Sequence, residues 1–163
     1  MKTAIYPGSF DPITNGHLDI IRRSAAMFDK VTVTVMVNPR KQGGLFTPLE
    51  RMDFIKRCVA DMPNVEVEYS DGLLAQYAKE KNATAVIKGL RAVSDFEDEF
   101  QQALINKKLN PDVETVFLIS ALENMYLSSS AVKQIFEFGG DASEFLPEQV
   151  CGEIKDRLLR KHK

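Results

Sequence analysis

Short apolar segments rich in β-branched residues alternate with amphipathic helical patterns, and this alternation constrains the fold more than any other feature of the sequence. Strand, helix and strand at this spacing are typical of βαβ units. The segments are apolar on both faces, as strands are when helices cover both sides of their sheet. We therefore predict an α/β fold with a doubly wound, mostly parallel five-stranded sheet. The predicted strands are Thr3–Tyr6, Val31–Val37, Val65–Tyr69, Ala85–Lys88 and Thr115–Ser120.

Helical patterns fill the intervals between these segments. Thr47 to Glu50 forms a capping box with proline at the first helical position, and Ser94 to Glu97 forms a second predicted capping box. Because no repeat, low-complexity segment or long linker interrupts the sequence, we predict a single domain over residues 1–163. The predicted helices are His17–Phe28, 48–61, Leu73–Lys81, 94–109, one from Ser128 or Ser129 to Gly139, and a C-terminal helix over about 147–161.

Composition narrows the class of protein. Hydrophobic residues make up 44% of the chain and charged residues 27%, which is typical of a soluble globular protein. The formal net charge of -2 argues against a general nucleic-acid-coating role, which needs a basic surface. Cys58 and Cys151 have no disulfide-framework or metal-knuckle spacing. With no signal-peptide pattern and no apolar run of membrane-spanning length, we expect a cytoplasmic protein without nucleic-acid or membrane partners.

The ends of the predicted strands indicate where a ligand binds, since open α/β sheets bind ligands outside the carboxyl ends of their strands. The first strand leads into Gly8 and Ser9, and then into Gly16 and His17 at the start of a helix. Neither GxxxxGK[ST] nor GxGxxG occurs in the sequence. His17 falls where free N–H groups and the helix dipole favour anions. It is either a hydrogen-bond donor to a phosphate oxygen or a surface histidine at a helix start.

Two later strand ends carry cations. Residues 38–44, after the second strand, contain Lys41 and form either a mobile arm over bound phosphates or a solvated loop. Lys88 and Arg91 flank a glycine after the fourth strand, and Glu99 interrupts the apolar stripe of the following helix. A charge on an apolar face needs a partner. These groups therefore either hold a nucleotide or form an internal salt bridge.

Three consecutive serines, Ser128 to Ser130, follow the fifth strand at the start of another helix. One serine suffices as a helix cap, so three predict a second anion cradle. Two helix N-termini, from the first and last strand ends, would then clamp one polyphosphate. The sequence has no aspartate pair with obvious metal spacing and no visible nucleophile–base arrangement. We therefore expect catalysis by positioning and charge stabilisation.

Four motifs carry a resemblance to a known family. They are "GSFDPITNGH", "KGLRAVSDFEDE", "LSSSAVK" and "FLPE" (Phe145 to Glu148), in that order. The first and third resemble the two signatures of the nucleotidyltransferase superfamily, of which (T/H)xGH is one. Together the four are similar to the motifs of bacterial phosphopantetheine adenylyltransferases, and the resemblance runs from Ala4 to about Val150. It implies a Rossmann-like nucleotidyltransferase fold.

The resemblance also implies a reaction. Members of that family transfer AMP from ATP to 4'-phosphopantetheine and release dephospho-coenzyme A and pyrophosphate. The acceptor phosphate attacks the α-phosphorus in line, and hydrogen bonds and cations spread the developing charge. Mg²⁺ would be held largely by the phosphates and water. A homohexamer is the assembly that the family implies.

Carried over residue by residue, the resemblance assigns roles within this sequence. It implies that His17, Lys41 and Arg91 are catalytic, and that Ser9, Lys41, Leu74 and Lys88 bind the acceptor. The implied ATP-binding residues are Ser9, Phe10, His17, Gly89, Leu90, Arg91, Glu99, Asn124, Met125, Tyr126, Leu127, Ser128, Ser129 and Ser130.

The sequence departs from the family pattern at three positions. Lys88 replaces the usual arginine, which keeps the charge but loses the bidentate fork. Ser9 stands where some members have threonine, and Asp98 replaces a common tyrosine. Two alternative functions would use the same fold and nucleotide site. One is the same chemistry on another acceptor, such as nicotinate mononucleotide or glycerol-3-phosphate, and the other is a nucleotide-binding sensor without turnover.

Overall fold

The computed structural model describes residues 1–38, 40 and 43–160, with the backbone alone at residues 93 and 94. Five strands and six helices alternate through most of this part of the chain, and two single 3-10 turns flank the fifth helix. The strands are β1 (Thr3–Gly8), β2 (Lys30–Met36), β3 (Val65–Ser70), β4 (Ala85–Leu90) and β5 (Glu114–Ile119). The helices are α1 (Asn15–Met27), α2 (Pro48–Cys58), α3 (Leu74–Glu80), α4 (Val93–Leu109), α5 (Ser129–Glu137) and α6 (Glu148–Arg160).

The strands form one sheet in the order β3-β2-β1-β4-β5, and every neighbouring pair is parallel. The predicted fold class is therefore confirmed, and the strand bounds differ from the predicted ones by a few residues at most. The chain runs from β1 to β2 to β3 on one side, and then crosses back to place β4 on the other side of β1. This reversal of direction beside β1 is the point at which open α/β sheets bind ligands.

The pairing of β1 explains why a cleft opens at this point. β1 pairs with β2 over its whole length, but with β4 only at Ala4 and Ile5. Beyond Ile5 the two central strands continue without pairing to each other, while β4 stays paired with β5 up to Leu90. The carboxyl ends of β1 and β4 therefore separate, and the gap between them forms the base of the candidate site.

Apolar side chains fill both faces of the sheet. On one face, Ala4 and Tyr6 of β1 join a large cluster that includes buried residues of α1, α2, α5 and α6. On the other face, Ile5 and Val86 pack with Tyr77 of α3, and α4 packs beside α3, β4 and β5. Alternate residues of one strand thus enter different clusters, as the period of two requires. This is the doubly wound arrangement.

The helix starts follow the predicted capping signals in one case and contradict them in another. Thr47 caps α2 with the predicted capping box, and Pro48 occupies the first helical position. The predicted box from Ser94 to Glu97 is wrong, because α4 begins at Val93 with Ala92 at the N-cap. Ala92 makes no side-chain cap hydrogen bond, and Asp95 in the first turn forms an ion pair with Arg91, just after β4, at 3.2 Å. None of the helices in the described ranges is both long and apolar enough to cross a bilayer.

Candidate active site

A cleft of about 350 Å³ lies at the carboxyl ends of β1 and β4, between the N-termini of α1 and α5. The first and last strand–helix junctions therefore meet on one cavity, as the sequence predicted. Most of its lining is polar, and it includes two cations, one carboxylate and one imidazole. The lining residues are Tyr6, Pro7, Gly8, Ser9, Thr14, Gly16, His17, Ile20, Lys88, Gly89, Arg91, Glu99, Ser120, Asn124, Leu127, Ser128, Ser129 and Ser130.

His17 is fixed by the start of α1. Thr14 is the N-cap residue, and its side-chain oxygen accepts a hydrogen bond from the main-chain N–H of His17. In return, the main-chain N–H of Thr14 donates to Nδ1 of His17 at 3.0 Å, and the Thr14 hydroxyl lies 3.0 Å from the same nitrogen. This is a capping box with histidine where glutamate or glutamine is usual. It turns Nε2, on the far side of the ring, away from Thr14.

The surroundings keep the His17 ring neutral. Burial and, to a lesser extent, the positive charge of Arg91 lower the pKa of His17 from 6.5 to about 4. Its side chain nevertheless lines the cleft, so the ring is partly exposed there and packed elsewhere. A neutral imidazole carries one proton. At neutral pH, His17 can therefore offer a ligand a hydrogen bond but not a full positive charge.

Phe10 supports the other side of this ring. Its backbone has a φ of 47°, in the left-handed region that non-glycine residues rarely adopt. The ring is 1% exposed and packs edge-on against Tyr6 at 5.4 Å and His17 at 5.1 Å between ring centroids. The resemblance implied that Phe10 contacts ATP. Because its side chain lies in the core, only its main chain is available for such a contact.

Lys88 and Glu99 reach the cleft as a pair, with Nζ 3.2 Å from Oε2. The angles at the two atoms do not fit a hydrogen bond. Oε2 of Glu99 is therefore buried without a hydrogen-bond partner among the described groups. The salt bridge considered from the sequence therefore forms, with Lys88 as its cation. It also lines the candidate site, and Glu99 retains acceptor capacity for a donor on a ligand.

Arg91 crosses the mouth of the cleft. Its Nε lies 3.2 Å from Asp95 Oδ2, and its Nη1 donates to the main-chain carbonyl of Leu127 at 3.0 Å. These contacts use only part of the five N–H donors of the guanidinium group. They connect the end of β4 to the loop before α5. The Arg91 guanidinium group therefore contacts both walls of the cleft.

The three serines have three different positions. The Ser128 hydroxyl caps α5 by accepting from the main-chain N–H of Ala131 at 3.0 Å. The Ser129 hydroxyl donates to the main-chain carbonyl of Pro12 at 2.7 Å, which ties the start of α5 to the loop before α1. Ser130 is exposed and lines the cleft. One serine thus caps, one links the two helix starts, and one faces the cavity.

Several residues that the resemblance implied lie outside this lining. Leu74, at the start of α3, packs against the cluster on the opposite face of the sheet. Met125 and Tyr126 are 39% and 64% exposed on the loop before α5, and Tyr126 packs on Phe145 at 5.7 Å. Leu90 is half-buried at the end of β4. Lys41 lies outside the described residues.

Comparisons with known proteins identify the family of this chain. A family model described as cytidylyltransferase-like matches residues 5–135. The chain belongs to this family. Within it, a phosphopantetheine adenylyltransferase of Caldanaerobacter subterraneus subsp. tengcongensis is 58% identical, covering 100% of this chain and 99% of that protein. Another of that name from Clostridium tetani is 56% identical over 94% of this chain and 96% of its own length.

Two solved structures of much lower sequence identity also support the fold. Two structures of a bifunctional NMN adenylyltransferase/ADP ribose pyrophosphatase from Francisella tularensis align with TM-scores of 0.67 and 0.72. Each is 13% identical and covers 99% of this chain, which spans about half of their length (52% and 53%). The likeness extends the family fold to distant proteins, and it carries no argument about the acceptor.

Sequence reasoning missed two features that shape the site. The first is Thr14, whose role follows from a capping-box pattern with histidine three residues after threonine. The second is Asp11, which is 6% exposed and accepts hydrogen bonds from the main-chain N–H groups of Leu45 and Phe46 at 2.8 and 2.9 Å. A buried carboxylate this close to Ser9 could have been suspected from its place inside the "GSFDPITNGH" motif, but its partners lie 34 and 35 residues away.

Two cations also contact Asp11, namely Lys133, whose Nζ lies 3.5 Å from Oδ2, and Arg51. The Nε of Arg51 lies 3.4 Å from Asp11 Oδ1 and its Nη1 donates to the main-chain carbonyl of Ser9 at 3.2 Å. Gly44 lies against this pair, since a Cβ there would stand 1.6 Å from Arg51 Nη2. The network therefore anchors the segment before α2 to the Ser9 loop. It leaves no room for a side chain at position 44.

Proposed function

We propose that this protein transfers the adenylyl group of ATP to 4'-phosphopantetheine and releases dephospho-coenzyme A and pyrophosphate. One observation carries the reaction: His17, whose Nδ1 accepts from the main-chain N–H of Thr14, lines a cleft between two helix N-termini. The choice of acceptor rests on relatives that bear this activity in their name and are 50–58% identical over nearly the whole chain.

The chemistry follows from this arrangement. An oxygen of the acceptor phosphate attacks the α-phosphorus of ATP, the bond from that phosphorus to the bridging oxygen breaks, and pyrophosphate leaves. Negative charge shifts onto the leaving group and the non-bridging oxygens. His17 donates a hydrogen bond from Nε2 to the α-phosphate oxygens, and the N-termini of α1 and α5 stabilise the anionic groups. No covalent enzyme intermediate is needed.

The other cleft residues bind the two substrates in this proposal. Arg91 and the N-terminus of α5 hold the phosphates, while Glu99 accepts a hydrogen bond from a hydroxyl or amino group of the ligand. Ser9 and Lys88 contact the acceptor phosphate. Leu74 and Lys41 are assigned to the acceptor by the family resemblance alone.

We propose Mg²⁺ as the cofactor, bound mainly through the substrate. Among the described residues, no group of three or more His, Cys, Asp or Glu side chains is close enough to hold a metal ion. The acidic side chains near the cleft, Glu99 and Asp95, are paired with Lys88 and Arg91. Mg²⁺ commonly binds through substrate phosphates and water in nucleotide sites. When bound in this way, it would neutralise phosphate charge.

We also propose a homo-oligomer in the cytoplasm, with a hexamer as the family's implied assembly. α4 leaves several large apolar side chains exposed, namely Phe96, Phe100, Leu104, Ile105 and Leu109. An apolar face of this extent favours burial against another chain. The two free cysteines, Cys58 and Cys151, fit a reducing compartment. Size-exclusion chromatography with light scattering measures the assembly directly.

The test is an acceptor panel. Pyrophosphate release is measured with ATP and Mg²⁺ alone and with 4'-phosphopantetheine, nicotinate mononucleotide or glycerol-3-phosphate at equal concentration. We expect release with 4'-phosphopantetheine at least a hundredfold faster than with the other acceptors. Release with another acceptor only would keep the chemistry and replace the substrate. ATP binding by calorimetry without release in any mixture would indicate a sensor and reject the proposal.

A further inference from the structure

We propose that Thr14 is a positioning residue that sets the tautomer of His17. It does so by occupying Nδ1 with its main-chain N–H and its hydroxyl, which commits the single ring proton to Nε2. The inference deepens the proposed function, on which it rests. Thr14 lines the cleft and is also the N-cap residue of α1.

The main-chain contact fixes the proton by elimination. The N–H of Thr14 lies 3.0 Å from Nδ1 of His17, and an N–H group can only donate. Nδ1 must therefore present its lone pair. In a neutral imidazole the other nitrogen then carries the proton. The hydrogen bond thus selects the tautomer that can donate to a phosphate oxygen in the cleft.

The hydroxyl of Thr14 strengthens the same choice. Its oxygen accepts from the main-chain N–H of His17 at 3.4 Å and lies 3.0 Å from Nδ1. A hydroxyl can accept one hydrogen bond and donate another, so its own proton is available for Nδ1. Thr14 is 1% exposed, which keeps water from competing for either contact. The ring nitrogen is therefore held by two donors from one residue.

Two neighbours of His17, Phe10 and Arg91, disfavour the flipped ring and the doubly protonated ring. Phe10 packs against the imidazole with ring centroids 5.1 Å apart, which restricts rotation that would exchange Nδ1 for Nε2. Burial of the ring and, to a lesser extent, the positive charge of Arg91 disfavour a second ring proton. Thr14, Phe10 and Arg91 therefore leave one state, the neutral ring with its proton on Nε2.

The chain is well suited to a direct test, because His17 and His162 are its only histidines. In a His162→Gln background, long-range ¹H–¹⁵N correlation spectra of the ¹⁵N-labelled full chain report a single imidazole at pH 7. We expect Nδ1 to resonate as an unprotonated nitrogen and Nε2 as a protonated one. A protonated Nδ1, or two protonated nitrogens, would overturn the proposal whether or not the protein is active. This readout needs no substrate.

Thr14→Val removes the hydroxyl but keeps the shape and the main-chain N–H, whereas Thr14→Ser keeps the hydroxyl. We expect Thr14→Val to shift the Nδ1 resonance and to lower kcat about fivefold, the worth of one hydrogen bond, with KM for ATP changed less than twofold. Thr14→Ser should stay within twofold of the unsubstituted chain. The matched control is Thr47→Val, which removes the N-cap hydroxyl of α2 and should leave kcat unchanged.

The outcomes separate positioning from helix capping. If Thr14→Val loses thermal stability as Thr47→Val does but keeps kcat and the Nδ1 resonance, Thr14 is only a cap and the proposal fails. A rise in KM for ATP with constant kcat would also reject it, by making Thr14 a binding residue. If Thr14→Val does not fold, the spectra of the unsubstituted chain and of Thr14→Ser still decide the tautomer. A correct tautomer in an inactive wild-type chain would reject the proposed reaction alone.

Discussion

α1 and α2 begin with the same local structure and use it differently. Each has a threonine N-cap whose side chain accepts from the main chain three residues later, and each has a side chain at that third position that accepts in return. In α2 the returning side chain is Glu50, a half-buried carboxylate that also pairs with Arg157. In α1 it is His17, packed against Phe10 at the edge of a cleft.

The difference lies in what remains after the cap is made. One carboxylate oxygen of Glu50 accepts from the main-chain N–H of Thr47 and the other from Arg157, near the surface. Glu50 therefore contributes to stability through contacts within the protein. His17 lines the cleft and has a second nitrogen, Nε2, that takes part in none of the hydrogen bonds among the described residues. A helix start of this kind can contribute to a ligand site when the capping residue carries a second polar atom and lies at a strand end.

Substitution of His17 should have the largest effect on activity. His17→Gln keeps a side chain that can complete a capping box, but it removes the imidazole donor. We expect kcat for pyrophosphate release to fall about 100- to 1000-fold, as when one transition-state donor is removed. Glu50→Gln is the matched change in α2, and its kcat should stay within twofold. Equal losses in both variants would mean that helix starts matter only for folding.

The two capping boxes should lose their contributions to folding stability over different pH ranges. The pKa of His17 is about 4 in the folded chain against an ordinary value of 6.5, so the unfolded chain takes up this proton first as the pH falls. Stability is therefore lost between about pH 6.5 and 4. Hydrogen bonds from Thr47 and Arg157 lower the pKa of Glu50 below its ordinary 4.5, so its contribution is lost only at lower pH.

Urea unfolding at pH 7.5 and 4.5 measures this difference. Relative to His17→Gln, the unsubstituted chain should lose about 2 kcal/mol more of its unfolding free energy over that interval, at 1.36 kcal/mol for each pKa unit. Glu50→Gln should show no such difference from the unsubstituted chain above pH 4.5. A loss that is the same with and without His17 would contradict the buried, neutral imidazole.

Loss of the threonine N-cap of α2 should have a smaller effect, and mainly on stability. Thr47→Ala removes the side-chain acceptor of α2 and should cost about 1 kcal/mol of unfolding free energy, the usual cost of losing such a cap. Activity should not change, because α2 contributes no residue to the lining of the cleft. Chemical denaturation and a pyrophosphate assay on the same preparation check both parts. A loss of kcat greater than threefold would link α2 to the reaction.

The smallest expected effect concerns the partner of Glu50. Arg157 forms an ion pair with Glu50 near the surface, with its side chain 43% exposed, and lies over the Phe46 ring at 5.1 Å. Exposed pairs of this kind contribute about 0.2–1 kcal/mol. Arg157→Gln should lower the unfolding free energy by less than about 1 kcal/mol and leave kcat unchanged. A loss above 2 kcal/mol would show that α6 depends on this contact.

The sequence was most informative where one local rule decided the structure. Apolar segments such as Val31–Val37 fixed the strand positions because a covered sheet requires them. The capping box at Thr47 fixed the start of α2. At α4 the same rule failed, because the helix begins at Val93, before the predicted cap, and its N-cap residue is Ala92, which makes no side-chain cap hydrogen bond.

The site was predictable where residues sit at strand ends and unpredictable where partners are distant. His17, Arg91 and the serine run lie at three strand ends, and the sheet brings them to one cleft. The partners of Asp11 come from residues more than thirty positions away, which periodicity cannot reveal. The packing of Phe10 beneath His17 depends on its left-handed backbone, which is unusual for phenylalanine and leaves no signal in the sequence.

The most direct test of the account follows the α-phosphorus. ATP labelled at that atom is mixed with Mg²⁺, excess enzyme and 4'-phosphopantetheine, and the products of a single turnover are separated. We predict that the label appears in dephospho-coenzyme A, with one pyrophosphate released for each molecule formed, and that His17→Gln slows this step about 100-fold or more. Label in free AMP, or transfer at an unchanged rate in His17→Gln, would contradict the account.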